Sequence, residues 1–334
     1  MNDEGRKPTI GDVARLAGVS PMTVSRVIND SERVRPETRA KVAAVIARTG
    51  YAPDPAARIL ARAGAGRIGL LYANPSNAYL AEVLAGALSG ARAAGLLLMI
   101  EPSQPGDPVA ETLAVSRLAA GGAQGLIVPP PLGESAATMA AIAQAGLRAV
   151  VLAGPSHGAD VVSLRVDDRA AAREMIRHLT DLGHRRIGFI EGHGDQSASA
   201  ERRMGAEEAL ADIPGAALSI VGGDFTYRSG LEAARRLLAQ SPRPTAIFAS
   251  NDDMASGALA AVHGAGLDAP GDVSVAGFDD TYIAANSWPT LTTIRQPAAD
   301  MAHEAAIRLA RPGETPLPVP HRLIVRESTG PSAG

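Results

Sequence analysis

Residues 9–30 read TIGDVARLAGVSPMTVSRVIND and predict two short helices joined by a tight turn. Thr9 is followed three residues later by an aspartate, which is typical of a capping box in its acidic variant, so a first helix should begin there. This helix should end near Gly18. Ser20 is a natural N-cap and Pro21 suits the first helical position, so a second helix should follow after a turn of about three residues. That spacing is typical of a helix-turn-helix.

Apolar residues at helical spacing predict a small core shared by three helices. A third helix should run from about Pro36 to Arg48, with Gly50 suited to the C′ position. The three apolar stripes are Ile10, Val13 and Leu16; Val24, Val27 and Ile28; and Val42, Val45 and Ile46. Because each stripe occupies one helical face, the three helices should close over one mini-core. On spacing alone, a generic three-helix surface module with a solvated basic face stays open as the alternative.

The outward face of the second helix carries side chains suited to a DNA major groove. Arg26 has the planar fork that guanine O6 and N7 require, and Met22 offers apolar contact to a thymine methyl group. Thr23, Ser25 and Asn29 can form hydrogen bonds with phosphates. Because some of these side chains suit bases and others suit phosphates, we predict that the helix reads a DNA sequence.

Length, composition and charge predict a multidomain cytoplasmic protein with a small basic head. At 334 residues and 46% apolar content, the chain can bury a core in each of two or three modules. It has no cysteine for disulfides or thiolate metal sites, and we expect neither a signal peptide nor a membrane span. Residues 1–62 hold 11 Lys and Arg against 7 Asp and Glu, whereas the rest of the chain holds 21 against 28. The head is therefore suited to a polyanion.

Beyond Arg67, short β-rich runs alternate with Ala-rich amphipathic stretches. The runs are IGLLYA, LLLMIE, GLIVPP, AVVLA, VVSLRV, RIGFIEG, AIFAS and VSVAGF. This rhythm is typical of parallel α/β sheets. There are more strands than one small sheet needs, so we expect two lobes that bind a ligand where their strands end.

Two enzyme-like motifs are better explained as linkers. The G-x-G-x-x-G motif at residues 64–69 does not follow a strand and open a helix, which a dinucleotide fingerprint must do. The G-x-S-x-G motif at residues 154–158 has Pro155 in its turn and is followed by a strand pattern, whereas a nucleophile elbow needs a helix there. The seven histidines are scattered, with no pair at the i, i+4 spacing of a helical zinc site. We therefore expect no enzyme, cofactor or metal site.

Several stretches of the chain resemble the LacI/GalR family of bacterial repressors. In the head these are residues 9–30, VRPETRAKV and GYAPDPAARIL. In the body they are IGLLYANPSNAYLAEVLAGAL, HLTDLGHRRIGFIEG, GDFTYRSGLEAARRLL, PTAIFASNDDMASGAL, DVSVAGFDD and PTLTTIRQP. The resemblance therefore covers nearly the whole chain. It implies an all-α helix-turn-helix head and an α/β two-lobed sensor like the periplasmic sugar-binding proteins.

The resemblance also implies how the head meets DNA. Base readout falls on Pro21, Met22 and Arg26, and backbone contacts fall on Thr23, Ser25 and Asn29, with Thr9 and Tyr51 in the same DNA-binding set. Residues 54–61 would form a hinge that becomes helical on the operator and places Leu60 in the minor groove as a wedge. Such a wedge favours a flexible base step and bends the DNA. Arg35 departs from the family, which usually has a Ser or Thr N-cap there.

The implied domains follow the family. Residues 1–52 form the DNA-binding head, residues 53–66 the hinge helix and linker, and residues 67–334 the ligand-binding and dimerisation domain. The first lobe is expected at about 67–165 and 291–322, and the second at about 166–290 and 323–334. The chain would therefore cross between lobes near Val166, Leu291 and Leu323.

Matched to the family, the ligand-binding positions fall on Tyr79, Arg202, Phe225, Asn251 and Asp279. These types suit a polyol, because Arg, Asn and Asp pair with adjacent hydroxyls and an aromatic ring covers the apolar face of a pyranose. Each has a structural alternative: the aromatic rings could be core residues, Asn251 a helix N-cap, Asp279 a loop carboxylate and Arg202 a solvated charge.

The resulting function is that of a ligand-responsive transcriptional repressor, released by a carbohydrate inducer of a sugar-utilisation operon. The partners would be palindromic operator DNA, a small effector and a second copy of the chain, and the location would be cytoplasmic, on the nucleoid. Two alternatives stay open: a nucleobase corepressor, since stacking plus Asp and Arg also suits a purine, and a solute-binding protein. Ala200 stands where many relatives have another Arg, so the identity of the ligand does not transfer from the family.

Overall fold

The structure is a computed structural model that describes residues 8–28, 34–51, 66–155, 161–211, 213–311 and 319–332. The chain divides into two compact units, residues 1–65 and residues 66–334, which we call the head and the body.

The described part of the head contains α1 (Ile10–Ala17), α2 (Pro21–Ile28) and α3 (Pro36–Thr49). Both predicted N-caps are present. The Thr9 hydroxyl accepts the backbone N–H of Asp12, whose carboxylate accepts the backbone N–H of Thr9. Ser20 Oγ accepts the backbone N–H of Thr23 at 3.1 Å and caps α2. The predicted helix-turn-helix is confirmed.

The helices of the head enclose a core of their own. Its buried members are Val13, Ala14, Ala17, Val24, Val42 and Val45. The expectation that Leu16 shares the buried stripe of α1 is wrong, because 45% of this residue is exposed. The helix instead buries Ala14 and Ala17 beside Val13, which turns Leu16 toward solvent. Arg35 makes no side-chain cap for α3, as its chemistry indicates.

The first lobe of the body is built on a five-stranded parallel sheet in the order β2–β1–β3–β4–β5. Its strands are β1 (Arg67–Tyr72), β2 (Leu97–Pro102), β3 (Ala123–Val128), β4 (Arg148–Leu152) and β5 (Val161–Leu164). Its helices are α4 (Asn77–Ala94), α5 (Pro108–Ala120), α6 (Ala136–Gln144) and α12 (Ala298–Ala310), with a 3₁₀ turn at Leu132–Glu134. One face packs against α4 and α12 and the other against α5 and α6. Both faces are covered, which explains the nearly continuous apolar strands.

The second lobe contains a six-stranded sheet in the order β11–β10–β9–β8–β6–β7. Its strands are β6 (Arg186–Glu191), β7 (Ala217–Gly222), β8 (Ala246–Ala249), β9 (Ser274–Asp279), β10 (Thr292–Arg295) and β11 (Arg322–Ile324). Its helices are α7 (Asp168–Asp181), α8 (Ser197–Ala211), α9 (Tyr227–Leu238), α10 (Asp252–Gly264) and α11 (Tyr282–Asn286). The sheet is parallel except for β11. Helices α7 and α8 cover one face, and α9 and α10 cover the other.

The chain passes between the lobes at three places. It leaves the first lobe after β5 and returns from the second lobe at Gln296, between β10 and α12. The expected return near Leu291 is therefore too early, because β10 is hydrogen-bonded to β9 of the second sheet. The last passage precedes β11, where Val319 packs against the cores of both lobes.

The two enzyme-like motifs have structural roles where the structure describes them. Gly69 lies inside β1, and a β-carbon there would stand 2.5 Å from Leu126 Cδ2, so this glycine serves sheet packing. The second motif is followed by β5 and not by a helix. Among the described residues, no helix combines the length and apolar content that crossing a membrane requires.

Candidate functional site

A narrow cavity lies between the two lobes, at the carboxyl ends of strands from both sheets. Asp279 is the last residue of β9, Asn251 follows β8, and Gln296 follows β10. On the first lobe, Tyr79 lies in the first turn of α4, which follows β1. Open α/β sheets bind their ligands at this edge.

The structure brings all five sequence-predicted ligand positions together in this inner cavity. They are Tyr79, Arg202, Phe225, Asn251 and Asp279, each more than nine-tenths buried. The volume of the inner cavity is about 30 Å³, which holds one or two water molecules. A sugar or a base therefore enters only when the lobes separate or the side chains move.

Backbone strain is concentrated at the inner cavity. Among the described residues, the non-glycine positions with positive φ are Ala153 (52°), Phe225 (68°), Asp279 (112°) and Asp280 (58°). The first three line the cavity, and the fourth follows directly in the chain. Such conformations cost about 1 to 3 kcal/mol each and persist where the surrounding structure enforces them, most often at functional sites.

Arg202 is a buried charge held from three sides. Its Nε donates to Asp168 Oδ1 at 2.8 Å, and its Nη1 donates to the carbonyl of Ser250 at 2.6 Å. Its guanidinium carbon lies 3.6 Å from the centre of the Phe278 ring, in cation–π contact. Burial raises the pKa of Asp168, although the neighbouring arginine opposes that shift. Arg202 is therefore a fixed donor in the wall and not a solvated charge.

Asp279 is the residue of the inner cavity whose carboxyl gains or loses its proton near neutral pH. Burial raises its pKa to about 7, while Arg202 and a hydrogen bond from Gln296 act in the opposite direction. Gln296 Nε2 donates to Asp279 Oδ1 at 2.5 Å. Both protonation states are therefore available near neutral pH, and an effector that prefers one of them shifts the balance.

Two buried polar atoms of the inner cavity lack a hydrogen-bond partner among the described residues. They are the hydroxyl of Tyr79 and Oε1 of Gln296. Burial raises the pKa of Tyr79 above its ordinary range, with a smaller contribution from Asp279, so the phenol stays a neutral donor. Leaving such groups unpaired costs free energy that a hydroxyl-bearing ligand can recover.

Phe225 closes the inner cavity on the second lobe. A β-carbon at Gly192 would lie 2.0 Å from the Phe225 ring, so only glycine allows the ring to sit there. Asn251 holds the segment: its Nδ2 donates to the carbonyl of Phe225 at 2.9 Å, and its Oδ1 accepts the backbone N–H of Met254. Asn251 therefore lines the inner cavity and is also the N-cap of α10. The cap role that the sequence offered as an alternative to ligand binding is thus present as well.

Asp252 is a second buried carboxylate behind the wall. Its Oδ2 accepts the backbone N–H of Thr281 at 2.7 Å and its Oδ1 accepts the Thr293 hydroxyl at 2.6 Å, which ties α10 to the ends of β9 and β10. Burial, and then the charge of Asp279, raise its pKa. Asp252 positions Asp279 without lining the inner cavity.

Two hydrogen-bonded contacts join the lobes directly, and we call them the inter-lobe clasps. Ser76 Oγ, at the N-terminus of α4, donates to Asp253 Oδ2 of the second lobe at 2.5 Å. Glu134 of the first lobe accepts the backbone N–H of Ser197, the first residue of α8, at 2.9 and 3.0 Å, and also its hydroxyl at 3.1 Å. In both clasps a carboxylate of one lobe meets a serine at a helix N-terminus of the other. The described lobes are thus held closed.

The residues predicted to read DNA lie on α2 with their side chains accessible. Met22 is 62% exposed, and Pro21 and Arg26 are exposed as well. Thr23 and Ser25 are half-buried, and Thr23 also shares a hydrogen bond with Ser20.

The remaining predicted DNA contacts lie elsewhere in the head. Thr9 is exposed but engaged in the cap of α1, and Tyr51 packs partly against the core of the head. Asn29, Leu60 and the hinge at residues 54–61 lie outside the described residues.

Four polar wall residues were not identified from the sequence: Asn74, Ser76, Gln196 and Gln296. Gln296 lies inside the family-like stretch PTLTTIRQP, and its place after a strand was the signal available. Asn74 and Ser76 follow β1 and stand close to the predicted Tyr79. Gln196 has no such signal, because its place depends on how the loop after β6 folds.

The fold and the inner cavity define a two-lobed binding protein with a helix-turn-helix head. Residues 9–54 match the family of bacterial regulatory proteins of the lacI type, and residues 176–329 match the periplasmic binding protein-like domain. Catabolite control protein A of Priestia megaterium is 31% identical over 330 residues, covering 96% of this chain and 99% of that protein. The chain therefore belongs to the LacI family. It is a DNA-binding transcriptional regulator and not an enzyme.

Solved structures agree over nearly the whole chain. A complex of the transcriptional regulator CelR with cellobiose has a TM-score of 0.71 at 29% identity, covering 96% of this chain and 99% of that one. The lac repressor dimer bound to operator and the anti-inducer ONPF has a TM-score of 0.70 at 28% identity, covering 97% and 100%.

Proposed function

We propose that this regulator represses a sugar-utilisation operon and is released from its operator by a carbohydrate. The observation that carries the proposal is the inner cavity, where Tyr79, Arg202 and Asp279 meet between two closed lobes. The protein acts in the cytoplasm, on the nucleoid.

The chemistry of the inner cavity favours a polyol. Asp279 accepts hydroxyl protons, Tyr79 donates one, and Gln296 Oε1 accepts another, so several adjacent hydroxyls can be paired. Phe225 presents an aromatic ring to the apolar face of a pyranose. The cellobiose in the related CelR complex supports the same class of ligand.

On DNA the protein acts as a homodimer. A single helix-turn-helix contacts too few base pairs for a specific site, whereas a two-fold dimer doubles the site and matches a palindrome. The related lac repressor binds its operator as a dimer, which supports this assembly.

The effector works through the angle between the lobes. The clasps favour the closed arrangement, whose inner cavity of about 30 Å³ is too small for a sugar ring, so binding changes the lobe equilibrium. Linkage then requires operator DNA to change effector affinity by the same factor as the effector changes operator affinity.

The proposal is tested by selecting genomic fragments with the purified full-length protein. Enrichment of a palindrome that one sugar releases supports it, and the adjacent genes then name the pathway. The selection is repeated with Arg26→Ala, which loses the base-reading fork, and with Asp279→Asn, which should bind DNA but ignore the sugar.

Three outcomes count against the proposal. A purine that strengthens operator binding replaces the carbohydrate with a nucleobase corepressor. No enrichment at all, in protein whose body still binds a sugar, removes the repressor role. Release by the sugar that persists in Asp279→Asn moves the effector site away from the inner cavity.

A further inference from the structure

A larger cavity opens directly beside the inner cavity, at the outer edge of the inter-lobe cleft. We call it the mouth cavity; Ser103, Pro105 and Pro131 bound it on the first lobe and His193, Asp195 and Gln196 on the second. Its volume is about 570 Å³, against about 30 Å³ inside. The linings of both cavities include Asn74, Pro75 and Gln196, so the two cavities adjoin. Most of the free space for a ligand lies in the mouth.

Gln196 stands at the junction of the two cavities with its amide unused. The residue is only 7% exposed, and among the described residues its side chain has no hydrogen-bond partner. An amide without a protein partner offers both a donor and an acceptor to a ligand. Ser103 also lines the mouth, and its buried Oγ has no hydrogen-bond partner among the described residues. Two independent groups therefore point to a hydroxyl-bearing occupant beyond the inner cavity.

The charges of the mouth exclude phosphates. Its ionisable lining residues in the described part of the chain are Asp195, Asp224 and His193, and His193 Nδ1 lies 2.6 Å from Asp195 Oδ1. Partial burial raises the pKa of Asp224, but hydrogen bonds from Ser229 and Thr226 outweigh it and lower the pKa overall. Two carboxylates against one imidazole repel an anion and accept hydrogen bonds from neutral hydroxyls.

The groove continues past the mouth. A third cavity of about 140 Å³ shares Pro105, Pro131 and Asp195 with it and reaches Glu134, the residue of the second clasp. Three adjoining cavities with shared lining residues form an elongated groove, which a compact ligand leaves mostly empty.

We propose that the effector is an uncharged glycan of at least two sugar units, with one ring in the inner cavity and the next in the mouth. The inference rests on the proposed function and adds the length and charge of the ligand. Gln196 forms hydrogen bonds at the linkage between the rings, and Ser103 does so with the second ring. A monosaccharide or a nucleobase leaves both groups unpaired.

The test is isothermal titration of the full-length protein with matched sugars. Glucose is compared with cellobiose and maltose, galactose with lactose and melibiose, and glucose with glucose 6-phosphate. At least one disaccharide should bind about tenfold or more tightly than its own monosaccharide, since each satisfied hydrogen bond contributes about that factor. Glucose 6-phosphate should bind more weakly than glucose.

Variants then locate the second ring. Gln196→Ala and Ser103→Ala should each lower disaccharide affinity about tenfold and monosaccharide affinity less than about threefold. The matched control is Ser116→Ala on the exposed side of α5, whose hydroxyl bonds only to the carbonyl of Thr112. It should leave both affinities unchanged.

The outcomes separate this inference from the proposed function. If a monosaccharide binds as tightly as every disaccharide and the two variants do not discriminate between them, the inference is wrong and the proposed function stands. Tighter binding of glucose 6-phosphate than of glucose also overturns it. If no sugar binds while palindromic DNA is still recognised, both are wrong.

Discussion

The outward face of α2 and the inner cavity use polar side chains in opposite ways. On α2, Arg26 and Met22 are exposed to solvent. In the cavity, Arg202 and Asp279 are buried and already bonded to protein partners. An exposed residue of α2 can therefore be changed without harm to the fold, whereas a change to a cavity residue also removes contacts that stabilise the body.

The largest effect expected from this contrast is on the free energy of unfolding after Arg202→Met. The change leaves Asp168 buried without its cation, and breaking a buried pair on one side costs about 3 to 5 kcal/mol. Urea unfolding measures the loss, and effector binding should disappear with it.

Arg203→Met is the matched control, because this neighbouring side chain is 47% exposed and pairs with Glu207 on the surface. It should leave stability unchanged. Adding Asp168→Asn to Arg202→Met should restore part of the lost stability, since no unpaired charge then remains. If the double variant is as unstable as the sum of the singles, the buried pair is not the cause.

On the outward face of α2, Arg26→Ala should weaken operator binding by about 1 to 3 kcal/mol and relax the preference at one base pair. Its thermal stability should stay at the wild-type value, because the residue is exposed on α2. Arg26→Lys keeps the charge but loses the planar fork, so it should keep nonspecific binding and lose the base preference. Affinity measured on single-base operator variants distinguishes readout from a phosphate contact. Equal weakening on every sequence would contradict readout.

The head could be predicted closely because its signals are local. The Thr9 and Ser20 caps and the short turn fix two helices within a few residues. Among the described residues of the three predicted apolar stripes, Leu16 was misplaced, since the face that α1 buries depends on its neighbours in space.

The sequence predicted the fold class of the body but not the exact places where the chain passes between the lobes. The strand rhythm indicates two parallel sheets, yet the return between lobes at Gln296 follows from β10 pairing with β9, which is a long-range contact. The five positions that the resemblance assigns to the ligand lie together in the inner cavity, and their role in binding stays a prediction. The unpaired amide of Gln196 and the clasp of Ser76 with Asp253 depend on how the lobes close, which no local pattern encodes.

A pH titration tests the buried inner cavity separately from the exposed face of α2. The buried carboxyl of Asp279 has a pKa raised to about 7, mainly by burial. Arg202 and Gln296 lower this pKa and Asp253 and Asp168 raise it, while the charge of Asp279 in turn raises the pKa of Asp252. A carboxylate that accepts hydroxyl protons must be ionised, so sugar affinity should fall as the pH drops below 7, by up to about tenfold per unit. Without effector, stability should instead fall as the pH rises from about 4 toward 7, because the folded state retains the proton.

Titrations at pH 5 to 8 in one ionic strength measure both trends. Asp279→Asn should bind weakly and lose the pH dependence of affinity. Its stability should depend less on pH than that of the wild type, since burial also raises the pKa values of Asp168, Asp252 and Asp253, which remain. Affinity that rises as the pH falls would mean that the neutral carboxyl donates to the ligand.

The smallest expected effect is at the clasps, where a contact between lobes acts without touching the ligand. Asp253→Ala removes the acceptor of Ser76 Oγ, and one hydrogen bond contributes about 0.5 to 1.5 kcal/mol, so the lobes should open more often. Small-angle scattering without effector should show a larger radius of gyration. Ser76→Ala should have the same effect plus a loss of stability, because Ser76 also caps α4, while Ser76→Thr keeps both functions and serves as control. If Asp253→Ala leaves the scattering curve unchanged, the packing of the lobes and not the clasp holds the cleft closed.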